Sequence, residues 1–274
     1  MHFLQGRRQG LGVTSAIVRV PRLLLLGSLL AGCGGDAPPE GPPAAADPVD
    51  LALAAEARPA TDRERDAGRK PAEVMHFFGV EPGMTVLDLF SGGGYYTEIA
   101  ARIVGPSGKV LAHNNQAYLD YAAEEIAARY AEGRLGNVVR LNGPVTEIAV
   151  EPGSVDMALL ILAYHDLYFE PGDGSWPKID GPAMLALVFE SLKPGGVFGV
   201  VDHLGSPDIT LEEIGRLHRI DEARLIREIE AAGFELADRS EALRNPDDNP
   251  VLPMYDSRVR GRTDRIVLRF RKPE

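Results

Sequence analysis

The sequence predicts an α/β domain in which a mainly parallel sheet is covered by helices on both faces, and three observations carry that prediction. From residue 84 onward, short, near-continuously apolar stretches alternate with stretches of helical period, as buried parallel strands joined by helices do. The first apolar stretch passes through Gly92-Gly93-Gly94 directly into a helical pattern, which makes a strand–turn–helix unit. The last two strand-like stretches are short, and the final one alternates, which suits a closing antiparallel pair.

In chain order, residues 51–58 and the charged run Asp62-Arg63-Glu64-Arg65-Asp66 read as helical. Pro71 suits the first turn of a helix running to about Phe78, and Gly79 suits its C-terminal cap. Residues 84–90 form the first strand, and residues 98–104 lie in the helix after it. A second strand covers residues 109–114, residues 117–131 carry apolar side chains at helical spacing, and residues 137–141 and 155–162 are the third and fourth strands. Residues 181–192 make a helix stopped by Lys193-Pro194-Gly195-Gly196, and residues 197–202 a fifth strand. A helix over residues 222–232 ends at Gly233, and short strands follow at residues 234–237 and 266–270. Between those two lies a long loop, residues 243–263, of a length that in compact domains marks function or mobility.

The glycine turn is the place built to bind a ligand. Residues without a Cβ let a ligand approach the backbone, and the helix N-terminus beyond offers free N–H groups and a positive dipole end. A dinucleotide fingerprint is excluded, because Thr97 stands where the third glycine would fall, counting from Gly92 and Gly94. A phosphate-cradling P-loop fails as well: Gly108-Lys109 is followed by Val110, which has no hydroxyl for a metal ion.

The amino terminus has a separate logic. Arg7, Arg8, Arg19 and Arg22 precede or flank an apolar run that ends in Leu30-Ala31-Gly32-Cys33, and no acidic residue occurs before Asp36. That is the pattern of a signal peptide over residues 1–32, too short in its apolar part to span a bilayer, and its end resembles the lipobox of bacterial lipoproteins. Cys33, the single cysteine, is then the lipidated first residue of the mature chain, so no internal disulfide forms. The Pro/Ala/Gly-rich residues 33–50 read as a tether and residues 51–274 as the domain. With 45% hydrophobic and 25% charged residues the composition is that of an ordinary globular protein. The chain carries a net charge of −11, and loss of residues 1–32 removes four of the 29 basic residues and none of the 40 acidic ones, leaving −15. A field of that sign repels a phosphate backbone, so nucleic acid is not an expected partner.

Asp88, the glycine turn and the order of the elements together resemble class I S-adenosylmethionine-dependent methyltransferases over roughly residues 58–274. More narrowly, residues 88–97, Tyr164-His165-Asp166-Leu167-Tyr168, residues 217–221 and residues 260–265 are similar to a group of predicted exported bacterial methyltransferases. The resemblance implies a Rossmann-like sheet of seven strands in the order 3-2-1-4-5-7-6, with S-adenosylmethionine along the carboxyl ends of strands one to four. It also implies that Asp88, Ser91, Gly92 and Gly94 hold the methionine and ribose portions. Asn114 matches the position that contacts the ribose hydroxyls, Asn142 the position where the adenine edge is read, and Leu162 the floor of the site. Phe90 departs from the pattern, in which glycine is common at that position. The segment around residues 62–70 is implied to cross the cleft, with Arg69 or Lys70 reaching the cofactor carboxylate unless the run is simply a solvated face.

Beyond the fourth strand, Tyr164-His165-Asp166 supplies an imidazole able to take a proton near neutral pH and a carboxylate beside it. His165 and Asp166 are therefore the expected catalytic pair. Asp202-His203, at the end of the fifth strand, is expected to face the same cleft. No metal is expected, since neither pair has the spacing of a metal signature. The sequence supports a methyltransferase acting on a small molecule or envelope component from the periplasmic side of a membrane, the outer membrane being favoured. A lipoprotein that keeps the fold only for ligand binding or scaffolding is the alternative. The methyl acceptor is not written in these motifs.

Overall fold

The computed structural model describes residues 46–274. The expected signal segment 1–32, Cys33 and the first part of the tether lie outside the described residues. Among the described residues, no helix is long and apolar enough to cross a membrane.

Three helices precede the sheet: α1 (Pro48–Ala54), α2 (Ala60–Arg69) and α3 (Pro71–Phe78). The Asp47 side chain accepts from the Val49 N–H at 2.8 Å and caps α1, while Val49 and Ala52 are buried. Helix α1 thus starts at Pro48, three residues before the expected start of the helical stretch at 51. Pro71 and Gly79 occupy the ends of α3 as expected.

The strands β1 (Thr85–Leu89), β2 (Lys109–Asn114), β3 (Val138–Asn142), β4 (Val155–Ile161), β5 (Leu192–His203), β6 (Glu235–Ser240) and β7 (Arg265–Arg271) form one sheet in the order β3-β2-β1-β4-β5-β7-β6. The first five are parallel, and β7 runs antiparallel to both β5 and β6. Helices α4 (Tyr95–Val104), α5 (Gln116–Tyr121), α6 (Ala123–Arg129), α7 (Gly181–Ser191), α8 (Leu211–Leu217) and α9 (Glu222–Ala231) complete the fold. The apolar period of 117–131 is split between α5 and α6, because Ala122 leaves helical geometry at φ −108°, ψ 21°. β5 starts five residues before its expected first residue: Lys193-Pro194-Gly195-Gly196 lies in the strand, and an irregular register between Val155 and Met157 absorbs it.

Alternation along the strands feeds two apolar cores, one on each face. Leu87 and Leu89 pack with Ala158, Leu160, Phe198 and the helix residues Val188 and Leu225. Val86 packs with Met157, Leu159 and Val201 against Val74 and Ile99. Each fully buried Leu, Ile or Phe contributes about 1.5–3 kcal/mol of transfer free energy, so the sheet interior holds the β-strand ends rigidly. Strand order reverses on either side of β1, which opens a crevice at the carboxyl ends of β1 and its neighbours, the usual ligand position in such sheets.

Candidate active site

β1 ends at Leu89, and the chain then turns through Phe90 (φ 48°), Gly92 (φ 55°) and Gly94 (φ 79°) before α4 begins. A Cβ placed on Gly92 would meet no protein atom within 4 Å, whereas one on Gly93 would collide with Glu125. Gly92 therefore faces open space and Gly93 faces protein. Gly94 also faces protein, since its Cβ would stand 3.3 Å from Arg129 and from the Tyr130 hydroxyl. The expectation that both Gly92 and Gly94 leave room for a ligand holds for Gly92 alone.

The turn is braced from behind. Arg129 donates from Nε to the Gly93 carbonyl at 2.8 Å and from Nη1 to Asp62 and Glu98, each at 2.6 Å, all in the interior. Asn114 braces it from the side: Gly92 N–H donates to Oδ1 at 2.9 Å and Nδ2 donates to the Gly92 carbonyl at 3.0 Å. This corrects the expectation for Asn114. Both ends of its amide pair with one peptide unit, and Asn114 is 5% exposed and does not line the cleft, so the side chain is directed to the backbone of the turn. A carboxylate, the usual residue here, lacks the donor that the Gly92 carbonyl needs.

The cleft above the turn has a volume of about 660 Å³. Of the expected residues, Asp88, Ser91, Gly92 and Leu162 line it, joined by Arg69 of α2 and by His203 at the end of β5. Lys70 is directed elsewhere, to the carbonyl of Ala242. Asn142 lies away from this cleft and lines a separate hollow of about 310 Å³ together with Gly143. Phe90 lines both spaces and packs edge-on to His113 and against Tyr118. Ser91 Oγ is buried without a hydrogen-bond partner among the described residues.

His165 and Asp166 do not line the cleft. His165 is 1% exposed, and its Nδ1 meets Asp202 at 2.6 Å while Nε2 lies 3.4 Å from Asp166. Burial opposes its charge, but the carboxylates of Asp202 and Asp166 outweigh burial and raise its pKa to about 9. It is thus a structural imidazolium between two aspartates, not a base half neutral at pH 7. Asp166 also holds the Tyr118 hydroxyl and His218 Nδ1. The nearest approach to a metal-ligand group among the described residues is His165, Asp166 and His218, whose ligand atoms lie within 4.8 Å of one another, but their charges are already paired.

His203 is the imidazole on the cleft. Its Nδ1 lies 2.6 Å from Thr263 Oγ1, and Nε2 has no protein partner among the described residues. Burial, together with the positive charges of His165, Arg265, Arg219 and Arg69, holds it well below the ordinary histidine range, so it stays neutral. Asp202 and His203 therefore do not share a side: Asp202 turns to His165, and His203 to the cleft.

Asp88 is 2% exposed, and burial lifts its carboxyl to about 7 against the opposing hydrogen bond from Thr97. Among the described residues, the buried Asp, Glu and Arg side chains pair with an opposite charge within 4 Å in every case but two, Asp88 and Arg265. Both line this cleft. Motif reading finds Asp88, and places Asp62 in a charged run and Arg265 at the end of residues 260–265 without a role for either, but it passes over Arg129 and Glu98; the four come from separate elements and have no local spacing that joins them.

Comparison with known proteins agrees with this geometry at the level of the fold. The family model for protein-L-isoaspartate(D-aspartate) O-methyltransferase matches residues 66–140, which hold the glycine turn and its braces. A demethylmenaquinone methyltransferase of Lactococcus lactis is 32% identical over 128 residues, 46% of this chain and 44% of that protein, so the match spans less than half of either. Among solved structures, an S-adenosylmethionine-dependent methyltransferase from Aquifex aeolicus superposes with a TM-score of 0.52 at 21% identity, covering 78% of this chain and 98% of that one. One from Mesorhizobium loti gives 0.53 at 13% identity, covering 76% and 100%. The cyclase SpnF gives 0.52 at 17% identity, covering 78% and 81%. The sheet is therefore that of the class I methyltransferases, a fold that also carries other chemistry.

Proposed function

We propose that this protein is an S-adenosylmethionine-dependent methyltransferase whose cofactor lies over the turn Ser91-Gly92-Gly93 with its cationic portion toward Asp88. The observation that carries this is one cleft holding three unmet demands: the open space at Gly92, the unpaired Ser91 Oγ and the uncompensated Asp88 carboxylate. A ligand with a cationic group and hydroxyls answers all three, and the family match over residues 66–140 supports its identity. When bound, the cofactor supplies a methyl group on a sulfonium that is already a good leaving group, so the protein's task is positioning. An acceptor that must lose a proton needs a base, and His203 Nε2 is the neutral, unoccupied one on this cleft.

A second reading has one observation behind it. Asn114 is committed to the backbone, so the second strand offers no carboxylate to the ribose, as suits a ligand-binding or scaffold lipoprotein that keeps the fold without transfer. Isothermal titration of the full chain with S-adenosylmethionine tests the first step. Saturable binding is expected, lost in Gly92→Leu while the thermal transition persists, because that side chain has room only where the ligand would lie. No binding by the wild type would refute the proposal, and binding without methyl transfer to any envelope extract would favour the second reading. The export signal adds a requirement: an enzyme lipidated at Cys33 on the periplasmic side needs its cofactor delivered. Mass spectrometry of the membrane fraction, sought for a diacylglyceryl group on Cys33, decides whether that requirement applies.

A further inference from the structure

The end of the long loop, the start of β7 and the end of α2 bring guanidinium groups to the lining of the cleft. Arg69, Arg260, Arg262 and Arg265 all line the cleft, and none has a carboxylate within 4 Å among the described residues. In a chain where acidic residues outnumber basic ones 40 to 29, unpaired arginines do not gather by chance of composition.

Arg265 is the anchor. It is 6% exposed and, among the described residues, donates only to main-chain carbonyls, from Nη2 to Gly68 at 2.7 Å and Gly261 at 3.4 Å and from Nε to Thr263 at 3.3 Å, which leaves Nη1 without an acceptor there. Burial, with the nearby charge of Arg69, depresses its pKa, and the opposing pull of Tyr96 and of the more distant Asp248 and Asp264 does not offset it, as for a largely desolvated cation with no carboxylate in direct contact. Arg69 lies over the Tyr95 ring at 4.7 Å from its centroid, which orients it without neutralising it. The loop that presents Arg260 is built rather than slack: buried Arg219 joins Asp248 at 2.7 Å and the carbonyls of Leu252 and Leu204 at 2.7 and 2.9 Å.

We propose that this part of the cleft is the acceptor subsite, and that the methyl acceptor is a small molecule held through an anionic group, a carboxylate or a phosphate, by Arg265, Arg260 and Arg69. The inference rests on methyl transfer taking place in this cleft. The cofactor brings a single carboxylate, which one guanidinium can hold bidentately, so four unpaired guanidiniums exceed what it requires. His203 stands on the same cleft, where it can meet the anchored acceptor.

The test is calorimetric titration of the full chain at low ionic strength with inorganic phosphate and, separately, with acetate, each with and without saturating S-adenosylmethionine. At least one anion is expected to bind saturably with the cofactor present, and the one that binds more tightly identifies the head group. Arg260→Gln, at an exposed position whose loss leaves the interior intact, should weaken that anion by ~10-fold or more, the scale of one charge-assisted hydrogen bond, and leave cofactor affinity within a few-fold. Three results decide against or apart from the proposal. Competition between anion and cofactor, or equal weakening of both in Arg260→Gln, would mean that the arginines hold the cofactor carboxylate and would overturn it. Cofactor binding with no anion binding would overturn it and leave the methyltransferase proposal standing. Anion binding without cofactor binding would uphold the anion site and remove methyl transfer from it.

Discussion

Asp88 makes the cleft's affinity for a cationic ligand depend on pH in a calculable way. Its carboxyl is raised from an ordinary 3.8 to about 7 because burial removes water and only the Thr97 hydroxyl replaces it. At ~1.4 kcal/mol per tenfold change, that displacement corresponds to about 4 kcal/mol by which the empty, folded protein disfavours the ionised form. The sign follows: a carboxyl raised by folding withdraws stability as pH rises from its unfolded value near 4 to about 7, and the loss is complete above 7. A cationic group beside Asp88 restores the ionised form. Below pH 7 binding should release a proton, and the association constant should rise up to ~10-fold per pH unit before levelling above about 7. Asp88→Asn keeps the shape and the Thr97 contact while deleting the titration. It should stabilise the empty protein at pH 8 and weaken S-adenosylmethionine binding by ~10- to 100-fold, the scale of a lost hydrogen bond between charged groups. Calorimetry at pH 6, 7 and 8 in buffers of different ionisation enthalpy measures the proton count, and subtracting the variant's count removes titration of the ligand's own amine. Equal proton release and equal affinity in wild type and Asp88→Asn would refute the assignment of Asp88 to the cationic portion.

The two histidines should separate cleanly. His165→Gln leaves Asp202 and Asp166 without their shared cation and should cost about 3–5 kcal/mol in stability, while His203→Gln should leave thermal unfolding nearly unchanged and reduce turnover by ~100-fold or more for an acceptor that must be deprotonated. Melting curves and single-turnover rates measure the pair, and the reverse pattern would restore His165 as the base. The wild-type contribution of His165 has its own signature: its raised pKa makes that stability fully present below about 6.5 and lost as pH rises through about 9, which a pH series of melts with and without the substitution isolates. Asn114→Asp should destabilise by about 1–3 kcal/mol, because the Gly92 carbonyl loses its donor; unchanged stability with tighter cofactor binding would show that residue 114 serves the ribose.

What was legible in the sequence follows from how local each cause is. Strand and helix periods are set by which residues must be buried, so all seven strands stand where apolar patterning puts them, within a few residues. The largest boundary error, at the start of β5, arose because Lys193-Pro194-Gly195-Gly196 carries every sign of a helix stop, while the pairing of Leu192 with Val155 that draws the chain into the sheet is made across the fold. The glycine turn was legible because its positive φ angles are a property of the residues themselves. Phe90 shows the limit: at φ 48° it occupies a conformation that favours glycine, which gives a physical reason for glycine being common at this position in the family it resembles. Its ring compensates through His113 and Tyr118, neither of them nearby in sequence. Asn114 and His165 stand out as residues in the sequence, but their roles do not, since the partners that set those roles, the Gly92 peptide and Asp202, are met only across the fold. For Asp202 and His203 the signal was present: consecutive strand residues point to opposite faces, so both entering one cleft was the less economical expectation.

The distribution of buried charge ties the fold to its use. Behind the glycine turn, Arg129 is met by Asp62 and Glu98; behind the long loop, Arg219 is met by Asp248; beside β4, His165 is met by Asp202 and Asp166. These pairs are worth little as net stabilisation, because each charge has given up its water, but each would be costly to break, so they hold main-chain segments in one place. Asp88 and Arg265 have given up water for no counter-charge, and a protein selected only for stability would have replaced them with apolar residues of similar size. Their cost is borne by the empty protein and returned only when something of opposite charge reaches each of them in the cleft. Opposite signs at two points of one cavity favour either a dipolar ligand or two ligands of opposite charge, and methyl transfer from a sulfonium to an anion-bearing acceptor is a reaction of the second kind.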